Sequence, residues 1–144
     1  AIANGHPLAS LVGTNELKKS AERVYFTGTQ FFSGPPMAAA LATLNELEKA
    51  DAPRVLIKYG EKLNERLEKV AHEKGFNLVA SGMPSMPYYR LEGESFETHV
   101  KWIDECVKRG VYMLSYHNHF VSLAHTDEDI DFIESAAKQA FDNL

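Results

Sequence analysis

Two short runs hold the side chains whose types and spacing could do chemistry. The first is Gly28-Thr29, which closes the aromatic run Val24-Tyr25-Phe26-Thr27 and opens a loop ahead of Pro35-Pro36 and an alanine-rich stretch. Backbone N–H groups left open by small residues, beside a hydroxyl, can cradle a phosphate. A turn that merely ends a strand is the plainer reading, because Gly-Thr alone is a common pair. The second run is Tyr116-His117-Asn118-His119-Phe120. In an extended strand His117 and His119 would share one face, as two metal ligands must. No third ligand stands at suitable spacing, so no metal site is expected and ordinary loop structure is the plainer reading. Arg90 follows Tyr88-Tyr89 and has the fork that binds a carboxylate, or else occupies an exposed strand edge. Cys106 stands among helix-spaced apolar residues without a base beside it, and reads as a buried structural thiol.

The elements that must carry these residues are legible from hydrophobic spacing. Pro7 to Val12 and Val24 to Phe26 read as strands, with a short helix from Thr14 to Ala21 between them, capped by Thr14 or Asn15. Pro35 and Pro36 suit the first turn of a helix reaching about Lys49. Val55, Tyr59, Leu63, Leu67 and Val70 make one apolar stripe at steps of three or four, which predicts a helix ended by Gly75. Phe96, Val100, Ile103 and Val107 make a second stripe, stopped at Gly110. Each stop is followed by a predicted strand, Leu78 to Ala80 and Val111 to Leu114. Pro84 to Leu91 holds a further strand and Phe120 to Leu123 a buried run. Thr126 and Asp129 form a capping-box pair at the head of a last helix buried through Ile130, Ile133, Ala137 and Phe141. The acidic residues Asp127 to Asp131 are therefore read as a helix start, not as metal ligands.

Composition sets the outer limits. The chain has 144 residues, 44% hydrophobic and 24% charged, enough for a packed core. A net charge of -5, with Lys and Arg dispersed among acids, argues against a nucleic-acid surface. No apolar run reaches the roughly 18 residues that span a bilayer. A single cysteine allows no internal disulfide and fits a reducing compartment, so a cytoplasmic location is expected. Residues 1–50 are rich in Ala, Gly and Phe, and their strands lack local partners. Residues 51–144 alternate helix and strand and can make a small sheet covered by helices, an α/β chain with an α+β small domain.

Three segments go further: NGHPLASLVG at 4–13, FTGTQFFSGPPMAAALATL at 26–44 and FVSLAHTDEDID at 120–131. Their order and spacing resemble the final third of class III, fold type I aminotransferases that use pyridoxal 5'-phosphate, in the branch of glutamate-1-semialdehyde aminomutase and its aminotransferase relatives. The resemblance implies that residues 1–50 end the coenzyme-binding large domain and that 51–144 form the C-terminal small domain. It implies a homodimer in which Gly28 and Thr29 contact the coenzyme phosphate of the neighbouring subunit. It places a loop near substrate at His117 and Asn118. His125-Thr126 matches the family's AHT marker, for which capping and packing are the expected roles.

Such chemistry also needs an imine-forming lysine, whose pKa must be lowered by burial or a nearby cation. The lysines here lie mostly on polar helix faces, and the resemblance implies that the catalytic lysine immediately precedes Ala1. No catalytic residue is therefore expected within the chain, which alone should be inactive. Two explanations stay open: the chain is a C-terminal portion whose partner is the upstream part of the same enzyme, or the lysine is joined to the coenzyme as a non-standard residue. The implied reaction moves an amino group between a small amino donor and a keto or aldehyde acceptor. Ala3-Asn4-Gly5 stands where the aminomutase has a glycine triplet, and Ser33-Gly34-Pro35-Pro36 where it has Ser-Gly-Asn-Pro. Gln30-Phe31-Phe32 makes a longer approach, and the aminomutase branch has near substrate a longer loop with an acidic residue that this sequence lacks. These departures favour an aminotransferase over the 2,1-aminomutase. A non-enzymatic assembly or binding module at 51–144 is the remaining reading, though it leaves the Gly-Thr turn unexplained.

Overall fold

The computed structural model describes residues 2–144 and divides after Asp51 into two compact units, the second being Ala52–Leu144. In the first, a 3-10 turn (Asn15–Leu17) runs into α1 (Lys18–Ala21), and α2 spans Gly34–Lys49. Pro35 and Pro36 stand in the first turn of α2, where a missing N–H costs nothing. Thr14 occupies the N-cap position before the 3-10 turn, but its side chain makes no capping bond.

The strands predicted at Pro7 to Val12 and Val24 to Phe26 do not form. Both stretches are irregular and open, with Leu11 88% and Tyr25 90% exposed. An extended segment becomes a strand only when a neighbour takes its N–H and C=O groups, and among the described residues none does.

The second unit is built on a hairpin. Helix α3 (Ala52–Glu73) leads into β1 (Asn77–Met83), which pairs antiparallel with β2 (Met86–Glu92) across Pro84-Ser85. Helices α4 (Phe96–Lys108) and α5 (Asp127–Phe141) follow. Helix α3 packs on β1 and α5, and α4 on β2 and α5. The core gathers Leu67, Val70, Leu78, Leu91, Trp102, Ile130 and Phe141. Phe141 is its hinge point, stacked on Phe76 at 5.2 Å and on Trp102 at 5.1 Å.

The α3 stripe holds through Tyr59, Leu63, Leu67 and Val70, while Val55 stays exposed. The α4 stripe is corrected by about one residue of helix rotation. His99, Trp102, Ile103 and Cys106 are buried, whereas Phe96 and Val107 face solvent. The single Trp carries more apolar area than Val107 and wins the inward position. Gly75 and Gly110 end α3 and α4 with φ of +83° and +88°, which glycine adopts without cost. Thereafter Phe76 N–H reaches Ala71 O at 2.9 Å and Val111 N–H reaches Cys106 O at 3.1 Å.

Val111 to Leu114 forms no strand: among the described residues the sheet has two strands, and the connector bonds the hairpin further along, at His119 and Val121. The run at Phe120 to Leu123 is likewise not buried: Phe120 and Leu123 are exposed and Val121 is half-buried. Among the described residues no helix is long and apolar enough to cross a membrane.

Candidate functional site

Gly28 and Thr29 sit in an exposed turn closed by Phe31 N–H on Gly28 O at 3.0 Å. Phe32 follows in the left-handed region, φ +60°, and Ser33 N–H bonds Gln30 O at 3.3 Å. The turn borders an open hollow of about 610 Å³ shared with Pro7, Leu8, Phe26, Phe31 and Met37. Phe26 meets Phe31 edge-on at 6.4 Å, and Phe31 lies 4.4 Å from Phe32. A Cβ added at Gly28 would meet nothing within 4 Å, so packing within the described chain does not demand glycine there. Among the described residues neither Thr29 Oγ1 nor the N–H groups of Gly28 and Thr29 has a hydrogen-bond partner. The hollow carries no carboxylate. The turn thus offers neutral donors with no acid to repel an anion, which fits a phosphate group. Pro35 and Pro36 remove two of the N–H groups that the start of α2 would otherwise present.

His117 and Asn118 lie in the second unit, in the connector between α4 and α5. The His117 ring is exposed, bonded through Nδ1 to the Asn118 carbonyl at 2.8 Å and 6.1 Å from the Phe120 ring. His119 is half-buried against Tyr89 at 5.3 Å. The two rings pack on different neighbours, and no three His, Cys, Asp or Glu side chains among the described residues are placed to hold a metal. The connector is pinned to the hairpin by His119 N–H on Pro87 O at 2.7 Å and Val121 N–H on Ser85 O at 3.2 Å. Tyr88 Oη adds a bond to Ser115 O at 3.2 Å.

Beneath the connector lies a small cavity of about 100 Å³, lined by Leu63, Tyr89, Met113, His119, His125 and Ile133 among others. Tyr89 Oη donates to Asn64 Oδ1 at 2.6 Å, and burial holds its phenol well above the usual range. At the far end, His125 Nδ1 accepts Ser122 N–H at 3.0 Å, and the Tyr59 ring packs tilted against His125 at 5.5 Å. Tyr59 Oη donates to Thr126 O at 2.9 Å. Thr126 and Asp129 complete the capping box: Asp129 Oδ2 accepts Thr126 N–H at 2.7 Å, and Thr126 Oγ1 accepts Asp129 N–H at 3.4 Å.

Arg90 is half-buried with its guanidinium 5.5 Å above Phe96, not at an exposed edge. Cys106 is 1% exposed and burial pushes its thiol up to about 12, which leaves no thiolate to react. His99, which the stripe reading missed, is fully buried beside Trp102. Its pKa is lowered chiefly by burial and by Arg90, with His119 adding to the effect and the Ser115 carbonyl opposing it. The signal was a histidine one turn before a tryptophan on the same helix face.

No protein-family model matches the sequence. The chain is 35% identical over 141 residues to an aminopentol aminotransferase of Sphingopyxis macrogoltabida, covering 97% of itself and 33% of that protein. It is 29% identical over 134 residues to a glutamate-1-semialdehyde 2,1-aminomutase of Pyrobaculum islandicum, covering 84% of itself and 32% of the relative. Its fold superposes on the FumI protein of a Sphingopyxis species, solved in its PLP internal aldimine form, with a TM-score of 0.92 and 34% identity. That match covers 99% of this chain and 34% of the other. The chain has the fold of the C-terminal region of pyridoxal-phosphate-dependent transaminases. It spans about a third of the length of the transaminase relatives it matches.

Proposed function

We propose that this chain is the C-terminal part of a class III aminotransferase that uses pyridoxal 5'-phosphate, acts as a cytoplasmic homodimer, and moves an amino group from an amino donor to a carbonyl acceptor. The observation that carries the reading is the match to an aminopentol aminotransferase over 97% of the chain. Residues up to about 50 complete the coenzyme-binding domain and the rest form the small domain. When bound, the coenzyme supplies the electron sink for the substrate carbon that loses its proton.

The parts assigned to this chain are binding and orientation. The hydroxyl and N–H of Thr29 donate to the coenzyme phosphate of the neighbouring subunit, and Gly28 lets that phosphate approach the backbone. Phe31 and Phe32 flank the turn. His117 and Asn118 face substrate from the small domain. An aminopentol, from the name of the 35% identical relative, is the first donor to assay.

The test uses the complete protein. It should show a visible coenzyme band that borohydride bleaches. Thr29→Ala removes one charge-assisted bond, worth about 1.5–3 kcal/mol, so coenzyme affinity should fall about tenfold to a hundredfold in a titration of the apoprotein. Undiminished affinity would remove the phosphate role. The aminomutase match favours a second reading, in which donor and acceptor are halves of one skeleton. Amino transfer to a separate keto acid decides between them.

A further inference from the structure

The stretch between α4 and α5 contains no helix or strand, yet it carries His117 and Asn118. Within it, His119 Nε2 accepts the Leu114 N–H at 3.2 Å and so closes the loop 114–119 on itself. A ring nitrogen that accepts has no proton, so the proton of this imidazole is on Nδ1. Nδ1 is buried and makes no hydrogen bond of full geometry among the described residues. Adding a proton to Nε2 would set N–H against N–H at the Leu114 contact.

We propose that His119 is a positioning residue: only in its neutral form does its imidazole close the 114–119 loop bearing His117 and Asn118, so that acid releases this one tie while the backbone bonds to the hairpin remain. The groups facing its ring bear this out. Tyr89 on β2 packs tilted against it at 5.3 Å, Tyr112 and His125 share its cavity, and α3 and α5 contribute only apolar Leu63 and Ile133 there. His99 on α4 and His117 in the loop are near enough to repel a charged imidazole. Burial first, with His117, lowers the pKa of His119, against a smaller opposing pull from the Pro87 carbonyl. No carboxylate lines the cavity to stabilise the imidazolium.

The catalytic consequence rests on the proposed substrate role of His117 and Asn118, whereas the lock itself does not. Hydrogen exchange on the complete, coenzyme-loaded protein reads the lock directly. The amide of Leu114 should lose about fivefold in protection factor between pH 8 and pH 5, the worth of one hydrogen bond. His119→Phe should show the low protection at both pH values, while the Ser122 amide, held by His125, keeps at each pH the protection it has in the wild type. His119→Gln, whose amide oxygen can take the place of Nε2, should restore protection and make it independent of pH. In steady-state kinetics the wild type should show KM rising about fivefold below pH 6 with kcat little changed, and His119→Gln should abolish that rise. Leu114 protection that ignores pH in the wild type, or survives in His119→Phe, overturns the lock. Protection that follows pH with a constant KM keeps the lock and overturns the placement of His117 and Asn118 at substrate.

Discussion

His99 shows how one buried side chain writes a pH dependence into the small unit. It is fully buried and its pKa lies below the ordinary imidazole value of about 6.5. For a base with a depressed folded pKa, the unfolded chain binds the proton first. Stability is then complete above the unfolded pKa and declines as pH falls from there through the folded pKa. The unfolding free energy measured in urea should fall between pH 7.5 and 5.5, and His99→Phe, which keeps the ring volume, should reduce that fall. An unchanged slope in the variant would assign it elsewhere. His99, His119 and Gly28-Thr29 were not equally legible. The Gly-Thr turn stands out by residue type and by resemblance. The lock at His119 does not, because sequence cannot say which ring nitrogen meets which N–H. His99 was hidden by a stripe counted from Phe96, a residue that turns out to face solvent.

At the scale of elements, helices are legible in the sequence and isolated strands are not. Periodicity, caps and glycine stops are local, and they located α2, α3, α4 and α5 within a few residues. Strands depend on partners, so Leu78 to Ala80 and Pro84 to Leu91 found each other while Pro7 to Val12, Val24 to Phe26 and Val111 to Leu114 found none. The contact most hidden from the sequence is Gly60. It sits on the buried face of α3, where an added Cβ would lie 2.0 Å from Pro84 O in the hairpin turn. The signal was there: a glycine within an amphipathic helix usually has a packing reason. Alanine would gain about 1 kcal/mol in helix propensity. A backbone clash of that depth must move the hairpin, and overpacking of this kind typically costs about 1–3 kcal/mol. Gly60→Ala is therefore expected to lower the midpoint of thermal unfolding, and a raised midpoint would show that the turn gives way freely.

At the scale of the molecule, apolar burial is unevenly shared. The main core cluster lies entirely in Ala52–Leu144, while Leu11, Val12, Tyr25, Phe26 and Phe32 are left open in the other unit. Helices α3 and α5 are also tied by ion pairs, Lys62 with Asp127, Arg66 with Asp131 and Glu134, and Lys138 with Glu73. Exposed pairs of this kind contribute little singly, about 0–1 kcal/mol each. A chain of residues 52–144 alone should accordingly unfold in one cooperative transition, as small domains with a complete core do. Circular dichroism and fluorescence of Trp102 should report the same midpoint. Non-coincident transitions would mean that this half needs the other to fold.

The close fit of Gly60 under Pro84 also constrains descent. Any lineage that acquires a side chain at position 60 has to rebuild the bend joining the two hairpin strands in the same stroke. Those two places should therefore drift together among relatives, even though they are separated by more than twenty residues of chain.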